Sequence, residues 1–498
     1  MSPVPPVPPV PPVLPGSRAS RVTAVVVGAA IFLFALPVVR AELFSGWFTD
    51  EVADGPRVMT PIEPAVSDTD DCIDGACFDA LESCSTDGEL CERDLEIARI
   101  AWTYFENNTQ ETGLVNAAHK YPSTTMWDVS SSLAGTLAAR EIGLIEQKAF
   151  DDRIVALLKT LNTMDLYNEE APNKAYDTKT AEMTDYRNNA SQIGIGFSVL
   201  DLARLMSWLD LLSCMHPKHA HTARNVMRRW TWCNMFDPRQ MYGAHQSKDG
   251  VKYLQEGRLG YEQYAAKLFE RAGVNQTIAD LYRNRHAQTV SIYGVDVPYD
   301  IRDPRAMGAI NYVVTESFAL DAMELGFDDE NRALVRAIYD VQKRRWEETG
   351  IPTAVSEDNL DRSPYFLYNT IYAAGTPWNT ISDKGERYPW LRSISTKAAF
   401  SLAALYPDDP YSQVLTDAVE SAYDPERGWY SGIYESGIGY NKAVTANTNG
   451  IILEGLLYKL RGSLHGSCES CGHDFSIRTP EDDAYPREAE EQCFPEGP

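Results

Sequence analysis

The chain has 498 residues, 44% of them hydrophobic and 23% charged, with 32 Gly and 29 Pro. That balance excludes wholesale disorder, a collagen-like repeat and a polytopic membrane protein. Forty-five basic against 71 acidic residues give a formal net charge of −26, and no basic patch interrupts it, which argues against nucleic-acid binding.

In chain order, residues 1–16 are a Pro/Val repeat that cannot hold a helix, and Arg18 and Arg21 follow. Residues 1–21 are therefore expected to form a Pro-rich head on the cytoplasmic side. The run from Val22 to Val39 is apolar apart from Thr23, at the lower length limit for crossing a bilayer. It is read as a signal anchor in the cytoplasmic membrane. Val39 and Ala41 also offer a small-residue cleavage pattern, so a removed signal peptide stands as the alternative. Either reading exports everything after residue 41, to a periplasmic anchored or a secreted location.

Residues 42–92 form an acidic linker carrying Cys72, Cys77, Cys84 and Cys91, and the polar tail 463–498 carries Cys468, Cys471 and Cys493. A zinc or iron–sulfur site would want paired CxxC motifs, and only the tail supplies one. Structural disulfides of an oxidising compartment are the expected use.

Between these flanks, residues 93–462 contain about 12 stretches with apolar residues at helical spacing. They run over 94–106, 128–142, 147–161, 194–213, 217–233, 257–272, 276–287, 308–325, 329–349, 394–405, 409–421 and 444–460. No alternating, strand-like stretch of comparable length competes with them. Their connections alternate between long and short. The long ones are 107–127, 162–193, 234–256, 288–307, 350–393 and 422–443. In antiparallel helical hairpins, alternate connections emerge at the same end. The expected fold is therefore all-α, an (α/α)6 toroid with six long loops on one face, and an irregular helical bundle is the alternative. Elaborated loops on one face of a rigid scaffold are where function gathers.

Those loops collect Trp127 and Asp128; Glu256, Arg258 and Tyr261; Asp300 and Asp303; Glu357, Asp358, Tyr365 and Trp378; and Trp429, Tyr434, Glu435, Asn447 and Asn449. No GxSxG elbow, phosphate-binding loop, dinucleotide fingerprint or HExxH is present, and no cofactor is implied. His216, His219 and His221 have the look of metal ligands but fall in a tight turn away from the acidic loops, so a solvated polar turn is the expected reading. What remains is paired carboxylates among aromatic rings. Glycoside cleavage needs one carboxylic acid to protonate the leaving oxygen and a second carboxylate to activate water or attack the anomeric carbon. Aromatic faces stack on sugars, while Asn, Asp and Arg bind hydroxyls.

Each carboxylate also has a plainer reading. Asp128 can simply cap a helix, and Glu256 can gain only from a helix dipole. Glu357, Asp358 and Asp361 can form a solvated turn or a calcium loop. Glu435 has the least local support.

The segments AWTYFENNTQETGL, TTMWDVSSSLAG, PNKAY, QEGRLGYEQYAA, TAVSEDNLDRSPYFLYNTIY, GWYSGIYE and TANTNGIILEGLLYK carry a resemblance. Over about residues 95–462 the chain resembles a bacterial glucoamylase-like domain family of unknown function. That family is similar to the (α/α)6 glycosidases that act on β-1,2-glucans. The resemblance implies an exported carbohydrate-active protein whose general acid comes from the third long loop, matched by Glu256, and whose base comes from a late loop. The late position falls on Glu357, Asp358 or Glu435. The leading expectation is a glycoside hydrolase or transglycosylase on a bacterial glucan or exopolysaccharide. A non-catalytic polysaccharide-binding subunit of an export or synthesis machinery is the alternative, and it would account for a membrane anchor. A lyase or epimerase would want a Tyr or His base near the sugar, and only His119, His245 and His286 lie near long loops.

Overall fold

The computed structural model describes residues 89–237, 239–302 and 310–470. The Pro-rich head, the Val22–Val39 segment, most of the cysteine-bearing linker and tail, and Asp303 lie outside them. Among the described residues, no helix is long and apolar enough to cross a membrane.

Twelve α-helices occur among the described residues: α1 Glu92–Asn108, α2 Met126–Ile142, α3 Gln147–Thr163, α4 Val199–Met215, α5 Ala220–Arg228, α6 Tyr261–Arg271, α7 Thr315–Leu320, α8 Asn331–Thr349, α9 Thr396–Leu405, α10 Pro410–Val419, α11 Ala446–Arg461 and α12 Leu464–Ser470. One π turn, Asp321–Leu325, continues α7. Burial sorts most of these helices into two kinds. Along α2, α4, α9 and α11 most residues are buried, whereas α1, α3 and α8 bury one face and expose the other. A helix apolar on all sides needs neighbours on all sides. It finds them: α2 packs on α4 and α11, α4 on α6, α6 on α7, α7 on α9, and α9 on α11. Followed round, these contacts return to α2. Outside them, α1 lies on α2 and α11, α3 on α2, α5 on α4, α8 on α7, and α10 on α9.

Capping explains where the inner helices start. Thr125 accepts from the Asp128 amide, Ser198 from that of Asp201, and Thr445 from that of Thr448, each satisfying a helix-start N–H that has no intrahelical partner. Every inner helix follows a long connection, so the N-terminal ends of α2, α4, α6, α7, α9 and α11 are the ends those connections reach.

Two expectations need correction. Residues 276–287 form no helix. Asn275 instead accepts hydrogen bonds from the Thr277 amide and hydroxyl, and the Gln276 side chain donates to the Asp237 carbonyl, so local side-chain bonds replace the helical ladder. The long connections also contain strands. Gln240–Ser247 pairs with Gly250–Glu256, and Ala287–Ile292 with Val295–Asp300, both antiparallel. The second hairpin turns through Tyr293 (φ 50°) and Gly294 (φ 77°), the positive dihedrals a two-residue turn between twisted strands requires. Small two- and three-stranded sheets fill the other loops.

Most buried apolar side chains form one cluster among the helices. A separate cluster of Leu360, Leu367, Leu391 and Tyr434 lies among the loops. A disulfide joins Cys214, at the end of α4, to Cys468 in α12, across 254 residues. Cys214 thus serves as a staple between the helical body and the tail.

Candidate functional site

The first two turns of the six inner helices gather around one buried carboxylate, Glu316 of α7. The indole Nε1–H of Trp127 in α2 donates to its Oε1 at 2.8 Å, and Asn447 Nδ2 of α11 donates to the same oxygen at 3.1 Å. Lys397 of α9 donates its Nζ–H to Oε2. The Arg204 guanidinium of α4 lies 4.8 Å from the centre of the Trp127 ring, and Tyr261 of α6 meets the same indole edge-on at 5.6 Å. All six helices are therefore represented in one connected group. Burial alone would push the Glu316 carboxyl up, but the charges of Lys397 and Arg204 outweigh it and hold Glu316 below the usual carboxylate range.

Two further sets of carboxylates lie near this group. The first is Glu256, Asp201 and Asp128. Glu256 ends the Gly250–Glu256 strand, and its Oε2 accepts from the Val199 amide at 2.8 Å, at the N-terminus of α4. Gly243, on the paired strand, makes room for it: a Cβ there would lie 2.4 Å from Glu256 Oε2. Asp201 accepts from the Ser198 hydroxyl at 2.9 Å. Asp128 accepts from the Thr125 hydroxyl at 2.7 Å and amide at 3.1 Å, a capping box. Dense protein surroundings raise all three carboxyls. Asp201 is pushed to about 7 by desolvation, with Glu256 and Asp128 adding their charge. Glu256 is raised by desolvation against the pull of Lys174 and the α4 amides.

The second set is Glu357 and Asp358. Glu357 accepts from the Tyr261 hydroxyl and, at 2.8 Å, from Ser356. Asp358 accepts from Ser395 at 3.2 Å, and its Oδ1 lies 3.9 Å from Lys397 Nζ. Desolvation raises both carboxyls, Asp358 well above its ordinary range, with Lys397 opposing. The two sets are neighbours. Tyr186 feels the charges of Asp201 and Glu256, and Tyr368 feels those of Glu357 and of Tyr186. Trp127, Asp128, Asp201, Glu256, Tyr261 and Asn447 stay partly exposed, while Glu316, Glu357, Asp358 and Lys397 are buried. The group thus has an open rim and a charged floor.

The other sequence candidates are placed elsewhere. Glu435 is held by Arg345 through two bonds of 2.8 Å. Asp300 and Glu262 clamp Arg302 in a buried ion cluster. Arg258 donates to the Gln255 side chain at 2.5 Å. Trp378 is 8% exposed with Arg345 over its ring, and Trp429 is buried with its indole N–H on the Ile97 carbonyl. Asn449 bonds the Trp429 amide and the Thr445 carbonyl, and Tyr434 donates to Asp361. Tyr365 is exposed. His216 and His219 lie against Glu141 and Asp151. No cluster of three or more His, Cys, Asp or Glu residues suited to a metal occurs among the described residues.

Sequence reasoning missed Asp201, Arg204, Glu316 and Lys397. The signal for Asp201 and Glu316 was a helix start: Ser198-x-x-Asp201 is an N-cap pattern, and Thr315-Glu316 opens α7. Reading those helices as beginning at 194 and 308 buried both acids in mid-helix.

The profile of a family described as a protein of unknown function (DUF3131) matches residues 96–462. No curated protein sequence matches the chain. Among solved structures, it is similar to a glucoamylase candidate from Bacteroides fragilis NCTC 9343, with TM-score 0.58, 13% identity, and 79% of this chain and 96% of that one covered. It is likewise similar to the endo-β-1,2-glucanase of Chitinophaga pinensis, solved with sophorotriose and glucose, with TM-score 0.56, 12% identity, and coverage of 78% and 96%. For the endo-β-1,2-glucanase of Talaromyces funiculosus with sophorose the values are 0.54, 12%, and 76% and 86%. At these identities the likeness is one of fold.

Proposed function

We propose, from the premise that this chain belongs to the DUF3131 family over residues 96–462, that it is an exported carbohydrate-active enzyme, a glycoside hydrolase or transglycosylase acting on a glucan. Its architecture on this reading is an (α/α)6 toroid, with α2, α4, α6, α7, α9 and α11 as the inner barrel and the site at their N-terminal ends. The closed circuit of helix contacts and the likeness to the two glucanase folds support this. Among the described residues the outer layer holds five helices, α1, α3, α5, α8 and α10, and residues 276–287 supply none.

The observation that carries the chemistry is that two separate carboxyl sets, Asp201 with Glu256 and Glu357 with Asp358, share one group, with the Lys397 charge beside Glu357. Cleaving a glycosidic bond takes one carboxyl that keeps its proton and one that gives it up. Glu256, with Asp201 beside it, is the proton donor in this reading; their mutual repulsion lets the pair hold a proton near neutral pH. Glu357 is the base: it is 8% exposed against 2% for Asp358, and its Oε1 is oriented by Tyr261. Lys397 favours its ionised form against the desolvation that raises its carboxyl, and the same lysine lies 3.9 Å from Asp358 Oδ1. Asp128 stands beside the donor pair, while Glu435, occupied by Arg345, is left a structural role. Trp127, Tyr261 and Asn447 offer an aromatic face, a hydroxyl and an amide to the sugar.

Export rests on Arg18 and Arg21 ahead of the Val22–Val39 run and on the Cys214–Cys468 disulfide, a bond of oxidising compartments. The same run would place the body beside a membrane, within reach of exopolysaccharide machinery.

Incubation of the purified protein with linear and cyclic glucans, read by mass spectrometry, tests the reading. Shortened or rearranged oligosaccharides are expected. Tight binding of a glucan without any product would support a non-catalytic polysaccharide-binding subunit instead.

A further inference from the structure

A line of aromatic rings leaves the candidate site along one strand. Glu357–Asn359 pairs with Phe366–Asn369 so that Tyr368 stands opposite Glu357 and Phe366 opposite Asn359. Residues two apart on a strand share a face, so Tyr368 and Phe366 point the same way. Tyr312 lies flat on Tyr368, with ring centres 3.6 Å apart and planes 3° from parallel. Phe366 meets Tyr368 edge-on at 5.2 Å. Tyr365, the residue just before this strand, is 65% exposed, and Phe366 is 38% exposed.

Leaving such rings in water forgoes burial that the fold obtains for most of its other aromatics. Tyr365 carries a second cost. Its φ is +72°, a region that side-chain-bearing residues avoid, and it is pinned there by bonds from the Leu360 amide to its carbonyl and from its own amide to the Arg362 carbonyl. An exposed ring held at a strained position is a feature with a use.

We propose that Tyr312, Tyr368, Phe366 and Tyr365 form a track of successive sugar-binding positions, which carries an extended, uncharged glucan chain outward from the site. The inference rests on the glycoside-cleaving reading and narrows its substrate to a polymer rather than a disaccharide. The occupant is a sugar chain because the rings are continuous with the carboxylate that would do the chemistry, and because Asp383 stands beside Tyr312 and Tyr368, where a sugar hydroxyl can donate to it. The chain is uncharged because the exposed Asp383 borders the track of a protein carrying a net charge of −26, which would repel an anionic polymer.

The experiment compares binding of long linear β-1,2-glucan and of sophorose to the full-length protein and to its Tyr365→Ala/Phe366→Ala variant, by calorimetry. The ratio of the two affinities is the readout. The track predicts that the variant loses about tenfold in affinity for the polymer and much less for sophorose. Carboxymethylated glucan should bind the wild type more weakly than the neutral polymer. Equal losses for both sugars, no loss for either, or a wild type that binds no glucan would overturn the proposal. So would a variant whose melting temperature falls while the ratio holds, since the rings would then be packing against this chain's own residues. A shifted ratio in a protein that releases no product would uphold the track and defeat the glycoside-cleaving reading.

Discussion

Lys397 governs the electrostatics of the site's floor. It is buried among Glu316, Glu357 and Asp358, whose charges raise its pKa and keep it cationic against desolvation. A buried charge stripped of its partner is expensive, so Lys397→Met should destabilise the protein by about 3–5 kcal/mol, read by chemical denaturation. A conservative Glu316→Gln, which keeps an acceptor for Trp127, should be milder in stability yet lower turnover, because the ion that orders Trp127 and Asn447 is gone. Asp201 gives a test by pH. Its carboxyl is raised to about 7 in the folded protein, against roughly 4 in an unfolded chain. Below about pH 4 both states carry the proton. Between about 4 and 7 only the folded state does, so this group's contribution to stability declines as pH rises through that window. The melting temperature of the wild type relative to Asp201→Asn should therefore fall from pH 4 to pH 8. A difference independent of pH would show that Asp201 titrates normally.

At the scale of elements, a hairpin delivers Glu256 to the start of α4, and Gly243 is what lets it approach. Adding a Cβ at that glycine forces the Glu256 carboxylate away from the Val199 amide. Gly243→Ala should thus cut turnover more than tenfold while leaving the circular dichroism spectrum of the helices intact. The disulfide acts at the other end of α4. By closing so long a span it restricts the unfolded chain, and Cys214→Ser should lower stability by about 2–5 kcal/mol without dissolving the fold. Most of the elements were legible in the sequence, because helices buried on one side or on all sides leave apolar spacing in the chain. Their starts were not. Ser198 and Thr315 are ordinary residues until the helix they open is placed, and misplacing two openings by several residues hid Asp201 and Glu316. The hairpins were missed because their strands mix exposed and buried residues without clean alternation, as in Gly250–Glu256, none of which is fully buried.

Across the whole molecule, alternating loop lengths predicted that the long connections share one end, and the Glu316 group shows that the helix starts beside those connections do meet. Glu256 and Glu357 were legible as candidates from their aromatic surroundings. Glu435 had the least local support but stayed a candidate, because the arginine that occupies it lies 90 residues away in sequence. A cluster drawn from six helices cannot be read from any one of them. The same long-range origin explains Lys397, a lone lysine in an apolar helix whose purpose appears only when α7 is set beside α9.

The account stands most directly on Glu256 as proton donor, and one rate comparison tests it. On whichever glucan the wild-type protein converts best, Glu256→Gln is expected to bind the sugar comparably and release products at least about 100-fold more slowly, the scale of a lost general acid. Near-normal turnover by Glu256→Gln on that glucan would contradict the account.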